Sequence, residues 1–217
     1  MLSNFKEDLS NIKNQVKEIG IGLLKANEFL LEGIKTCDEE MFNEAKSYIK
    51  NISKKTSDID NEIVKVLALY NPEARDLRQV VSYFKITNEL LRATTNTRSF
   101  IRGFMEVCND IDIKTVNEYA IPMQTSTVRA VKSAVSMIDI ECEDELKETY
   151  NDVLIEENKN DDLYEMVEKN LFKQADASDD FQKFHNMLKA LRKSEKVADR
   201  AISIAGLFLY IKVGGNI

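Results

Sequence analysis

Apolar residues recur along this chain at steps of three and four, the spacing that gathers them on one face of an α-helix. The first line runs Phe5, Leu9, Ile12, Val16, Ile19, Leu23, Leu30 and Ile34, which predicts a helix of roughly 50 Å from the rise per residue. Thr36-Cys37-Asp38-Glu39 has the form of a capping box and predicts the start of a second helix. That helix carries Ile49, Ile52, Thr56, Ile59, Ile63, Val66 and Tyr70, and Asn71-Pro72 stops it. Asp76 offers a cap for a third helix, with Leu77, Val81, Phe84, Leu91, Ile101 and Met105 on its apolar line. Asn109-Asp110-Ile111-Asp112 then breaks the pattern and predicts a boundary between two units, 1–108 and 113–217. A fourth helix contains Met123, Val128, Val131, Val135 and Ile138, and a fifth contains Tyr150, Leu154, Tyr164 and Leu171. After a polar turn from Ala175 to Asp180, a sixth runs through Phe181, Phe184, Leu188, Leu191, Ala198, Ile202, Ala205 and Leu209.

The two halves echo each other. An offset of 101 carries Ile52, Ile63 and Val66 onto Val153, Tyr164 and Val167, and an offset of 104 carries Leu77, Phe84 and Met105 onto Phe181, Leu188 and Leu209. Short connections make sequential helices antiparallel neighbours. The predicted fold is all-α: two tandem three-helix bundles, six long helices with pseudo-repeat symmetry, lying end to end.

Composition sharpens this picture. Seven Gly and two Pro in 217 residues leave few breakers, in keeping with few, long elements. A net charge of −7 disfavours a nucleic-acid partner, because the chain repels phosphate backbones. Cys37, Cys108 and Cys142 are odd in number, far apart and without a CxxC pairing, and they read as thiols of a reducing compartment. The N-terminal stretch has acids and no apolar core of signal-peptide type, so the expected location is cytoplasmic. Ala201 to Ile211 is an apolar run of 11 residues. A membrane span needs about 20, so the run reads as the buried end of a core helix, with membrane-surface contact as the alternative. Within it, Leu207-Phe208-Leu209-Tyr210 either closes the second bundle's own core or forms a homodimer or docking surface.

The chemistry lies in what interrupts the apolar lines. The sixth helix places Glu195 on its line, with Asp199 one turn on; the fifth places Glu157, Asp161 and Glu168 on its line. Two ExxxD pairs on neighbouring helices converge four carboxylates, which are costly inside a bundle unless a cation or donor compensates them. From Asp139 to Glu168 there are 13 acids and 2 bases, a net of −11, against −2 for Asp38 to Leu67. Oxygen-only ligands favour hard ions such as Mg²⁺, Mn²⁺, Ca²⁺ or oxidised iron. The competing account is a solvated acidic face with no ligand at all. His185, the one histidine, has no Glu three residues before it, so the paired Glu-x-x-His of diiron enzymes is missing. No Gly-rich phosphate loop, GxSxG elbow or zinc spacing occurs.

Three segments resemble a known family. Pro72-Glu73-Ala74-Arg75-Asp76-Leu77-Arg78 with Phe84-Lys85-Ile86-Thr87-Asn88-Glu89-Leu90 resembles the P-x-x-x-DLR and L-K-I-x-N-D-L stretch of PhoU proteins. Glu195-Lys196-Val197-Ala198-Asp199-Arg200-Ala201-Ile202-Ser203-Ile204-Ala205 is similar to the family's ERIADHAxNIA, and Glu157 to Asp161 followed by Asp162-Leu163-Tyr164 to its DxxxD-x-LY element. The resemblance implies a non-enzymatic regulator of phosphate uptake and phosphate-starvation signalling. Its implied partners are the ATPase subunit of a phosphate ABC transporter and a phosphate-sensing histidine kinase. It also implies metal binding by one motif pair per repeat. In this chain the second repeat keeps Glu157, Asp161, Glu195 and Asp199 as metal ligands for Mg, Mn or Fe. The first repeat reads Thr56 and Asp60 on one helix and Leu91 to Thr95 on the next, so three of its four carboxylates are gone and no cation site is expected there. Rival readings are an accessory protein of a low-affinity phosphate permease, a redox metalloenzyme and a metal-free helical scaffold.

Overall fold

The computed structural model describes residues 2–111, 113–175 and 181–214. The chain is all-α, with no strand among the described residues. In chain order the helices are α1 (Leu2–Thr36), α2 (Glu39–Tyr48), α3 (Ile52–Tyr70), α4 (Ala74–Met105), the single turn α5 (Ile113–Thr115), α6 (Ile121–Ser136), α7 (Glu143–Ala175) and α8 (Phe181–Val213). A π-helical turn, Val116–Ala120, joins α5 to α6. The expected polar turn at 176–180 falls outside the described residues, as do the side chains of Leu171 and Phe181.

The first apolar line is buried throughout, from Phe5 to Ile34. The expected second helix is two helices. The chain breaks at Ile49–Asn51, where Asn51 takes a left-handed backbone (φ 60°) and Arg98 of α4 donates to the Ile49 carbonyl at 2.7 Å. Short α2 lies tight on α1 because two glycines clear the way: a Cβ on Gly33 would meet Phe42 at 2.7 Å, and one on Gly22 the Tyr48 carbonyl at 2.9 Å. The cap also sits two residues later than expected. Asp38 accepts from the Glu40 amide at 2.8 Å, while Thr36 stays in α1 and donates to the Glu32 carbonyl. Likewise α4 begins at Ala74, before Asp76.

On α4 the buried face differs from the expected line. Val80, Tyr83, Ile86, Leu90, Ala93, Phe100 and Phe104 are buried, whereas Leu77, Val81 and Phe84 are 36–44% exposed. The offset of 104 nevertheless holds, through other pairs: Tyr83 with Met187, Ile86 with Ala190, Ala93 with Val197, Phe100 with Ile204 and Phe104 with Phe208 are all buried. At 101, Ile52 with Val153 and Val66 with Val167 are buried together.

The bundles do not lie end to end. They stand side by side: α1 runs antiparallel to α6 (Asn27 beside Gln124, Lys17 pairing with Asp139), and α4 antiparallel to α8. Arg200 of α8 pairs with Glu89 of α4 at 3.0 Å. A helix buried over as much of its circumference as α4 satisfies two bundles at once, and the apolar residues of both halves form one continuous core. A buried polar chain crosses that seam. Asn27 (α1) donates to Thr97 (α4), Gln124 (α6) donates to Asn27, Ser194 (α8) donates to Gln124, Thr127 (α6) lies 2.9 Å from Ser194, and Asn160 (α7) donates to Thr127.

The cysteine expectation is overturned for two of the three. Cys37 and Cys108 form a disulfide with Cα atoms 5.8 Å apart, and Cys142 is free and exposed. The physical reason is topological. In an up-down-up bundle α1 and α4 run parallel, so residues 71 apart in sequence arrive at the same end. In the C-terminal run, Ala201, Ile204, Ala205, Phe208 and Ile211 are buried in the chain's own core. Among the described residues no helix is long and apolar enough to cross a membrane.

Candidate metal centre

The centre lies between α7 and α8. On α7 the fully buried positions recur every seven residues, at Leu146, Val153, Asn160 and Val167. The expected line through Tyr150, Leu154, Glu157, Asp161, Tyr164 and Glu168 runs along the edge of that face. Leu154 is 37% exposed, Glu157 half-buried and Asp161 exposed. Across the seam, α8 presents Asp199, half-buried, and Glu195, buried at 4% exposure.

Of the four expected ligands the structure gathers three. One carboxylate oxygen each from Glu157, Asp161 and Asp199 lie within 4.8 Å of one another. Glu195 stands beside them and is engaged by bases: its Oε1 is 2.9 Å from Arg192 and 3.2 Å from Lys196 Nζ. Its other oxygen, Oε2, is buried with no hydrogen-bond partner. A groove of about 700 Å³ opens alongside, lined by Asp161, Asp162, Tyr164, Glu168, Arg192 and Glu195 among others. Arg192 also lies over the Tyr164 ring, 4.9 Å from its centroid.

Burial raises the Glu157 carboxyl above its ordinary value, and the charges of Asp161, Asp199 and Glu195 push the same way. Burial and then Asp199 raise Asp161, against Lys196 and Arg192. Glu195 is raised by burial and Asp199, with Lys196 and Arg192 opposing. These are the marks of carboxylates drawn out of water beside like charges. The donor set is hard oxygen throughout, and an unpartnered buried acceptor sits at its edge, so the residues suit a hard cation. His185 is exposed and lies outside the cluster.

In the first repeat the same offsets place Thr56, Asp60, Leu91 and Thr95 at the corresponding positions. Thr56 and Thr95 turn their hydroxyls to backbone carbonyls of their own helices, Ser53 and Leu91. Asp60 stands there as the one carboxylate, raised by burial.

Residues 23–99 match the family model of the PhoU domain. That segment is similar to a PhoU domain. The matched segment contains the Pro72 to Leu90 stretch, while the carboxylate cluster lies beyond it. No curated protein sequence matches the chain. Solved structures extend the likeness to the whole fold. The crystal structure of PhoU from Pseudomonas aeruginosa has a TM-score of 0.84 at 20% identity, over 97% of this chain and 100% of that one. The phosphate transport system regulatory protein PhoU from Streptococcus pneumoniae has 0.82 at 16% identity, over 98% and 99%. The described chain therefore has the PhoU fold from end to end.

Sequence reading missed the bases. Lys196 lies between Glu195 and Asp199 and one turn from the latter, a spacing that favours pairing, so the signal was present in the motif itself.

The raised carboxyls make a pH prediction. A group whose folded pKa is raised adds stability that is full below its unfolded value and is lost as pH rises through the folded one. Metal-free Glu157→Gln removes one such group, so it should be more stable than the parent at pH 7.5. That advantage should shrink as pH falls towards 4.5. Urea unfolding of both proteins in chelator across this range measures it; a gap that widens towards low pH would mean that burial and neighbouring charge do not raise the Glu157 carboxyl.

Proposed function

We propose that this chain is a PhoU-type regulator of phosphate uptake and phosphate-starvation signalling, acting through protein contacts rather than catalysis. The observation that carries the reading is the likeness of the whole fold to solved PhoU proteins, joined to the PhoU domain match at residues 23–99. In this reading the protein works in the cytoplasm. Its partners are the ATPase subunit of a phosphate ABC transporter and a phosphate-sensing histidine kinase, and units 1–108 and 113–217 are two repeats of one motif.

The second repeat holds one cation, Mg²⁺, Mn²⁺ or iron, on Glu157, Asp161 and Asp199, with Glu195 beside them. The convergence of three carboxylate oxygens supports this. Such an ion supplies positive charge that ties α7 to α8. Glu157 and Asp161 would hold it from one side of the seam and Asp199 from the other, so its presence stiffens that pair of helices.

The test is capture from the native organism. Tagged protein is recovered from phosphate-replete and phosphate-starved cells, and its companions are identified by mass spectrometry. Recovery of the transporter ATPase subunit or the kinase is the expected result. Recovery of a low-affinity permease instead would favour the accessory-protein reading, and specific recovery of neither kind would sink the regulatory one.

A further inference from the structure

We propose that Lys196 is a tethered counter-ion: its ammonium closes the carboxylate cluster when no metal is bound, and an incoming cation must displace it. The inference rests on the reading of the cluster as a cation site. Lys196 Nζ is 2.6 Å from Asp199 Oδ2 and 3.2 Å from Glu195 Oε1. Asp199 is also one of the three residues whose oxygens converge. One carboxylate therefore serves both the internal cation and the external one.

The other two bases nearby each reach only one of these two acids. Arg200 pairs with Glu89 across the bundle seam at 3.0 Å and is 3.8 Å from Asp199. Arg192 pairs with Glu195 and covers the Tyr164 ring. Lys196 alone of the three bridges Glu195 and Asp199. Its side chain is 34% exposed, against 6% for Glu195 and 19% for Asp199, so the base has a route outwards that its partners lack. A lysine suits the role. Its flexible stem can swing the ammonium into water, where that compact charge is well hydrated, whereas an arginine fork would be held by its geometry. Binding is then an exchange: a divalent ion enters, one ammonium leaves, and the cluster is not left bare in either state.

The experiment titrates Mn²⁺ and Mg²⁺ into wild type, Lys196→Met, Glu157→Gln and Lys147→Met, using calorimetry and thermal unfolding. Lys147 is the control, on α7 and about 15 Å from Glu157 by helical rise. Lys196→Met keeps the stem and removes the charge. It should bind Mn²⁺ at least tenfold more tightly than wild type, since one like charge no longer sits within a few ångströms of the ion. Its metal-free form should melt lower at pH 7.5 and be restored by Mn²⁺. Lys147→Met should match wild type. Tight binding by wild type with an equal or weaker affinity in Lys196→Met overturns the lysine's role and leaves the cation reading standing. No binding by any of the proteins overturns both. Should Lys196→Met fail to fold, amine labelling of wild type decides. Reaction of Lys196 with an N-hydroxysuccinimide ester should quicken severalfold when Mn²⁺ is bound, with Lys147 unchanged; an unchanged rate at Lys196 overturns the proposal.

Discussion

Gln124→Ala should cost about 3–5 kcal/mol and lower the melting temperature by roughly 10 °C. Gln124 is fully buried where the two bundles meet. Its amide nitrogen donates to the Asn27 carbonyl at 3.1 Å and to Asn27 Oδ1 at 3.0 Å, and its oxygen accepts from Ser194 at 2.9 Å. Truncation opens a void, strands the buried Asn27 Oδ1 acceptor on α1 and takes from the Ser194 hydroxyl on α8 the acceptor it donates to. Each unsatisfied group costs about 1–3 kcal/mol, more than the net worth of the bond it loses. Because Asn27 and Gln124 share that bond, Asn27→Ala in the Gln124→Ala background should add much less than it does alone. Chemical unfolding of the two single variants and the double one checks both statements. A loss below about 1 kcal/mol for Gln124→Ala, less than one stranded group costs, would mean that the polar chain does not hold the seam together.

That seam also marks where sequence reading stops. The α1 line was legible because a surface helix buries one face and the period alone shows which. On α4 the same method picked Leu77, Val81 and Phe84, which are partly exposed, because α4 buries a wide face between two bundles. A helix of that kind has small and polar residues such as Ser82, Thr87, Thr94 and Thr97 inside, and a hydrophobic template skips them. The side-by-side arrangement was hidden for the same reason. Its specific polar contacts include Asn27 with Gln124, Glu89 with Arg200 and Lys17 with Asp139, none of which an apolar pattern registers.

At the candidate centre, spacing found all four acids and the structure gathers three. The fourth, Glu195, is the most buried of them, and Arg192 and Lys196, its neighbours on the same helix, pair with it. Asp161 interrupts the expected apolar line, yet it is exposed at the edge of that face. The buried positions of α7 recur every seven residues, the period of the expected line itself, so that line runs one residue off the core along its length, with Leu154, Asp161 and Glu168 each next to a buried residue. The acids are neighbours because Asn160 and Ser194, next to Asp161 and Glu195 in sequence, are both buried and joined through Thr127. The polar chain inside thus fixes the register of the carboxylates outside.

Reduction should lower the melting temperature by roughly 5–15 °C without abolishing the fold. The Cys37–Cys108 bond closes a loop of 71 residues, and tying so long a loop restricts the unfolded chain by about 2–4 kcal/mol. The folded state has other ties at that end. Phe42 packs against Phe104 with ring centroids 6.2 Å apart, and Phe100 meets Phe104 edge-on. Helical circular dichroism should therefore persist in reductant, while amide exchange quickens around residues 36–42 and 105–111. Cys108→Ser should behave like the reduced protein and lose its response to reductant, and Cys142→Ser should keep it. Alkylation of unreduced native protein gives the direct count: Cys142 alone should take up label. If all three cysteines are labelled, or if reductant leaves the melting temperature where it was, the bond does not hold α1 to α4 in solution and the aromatic packing alone closes that end.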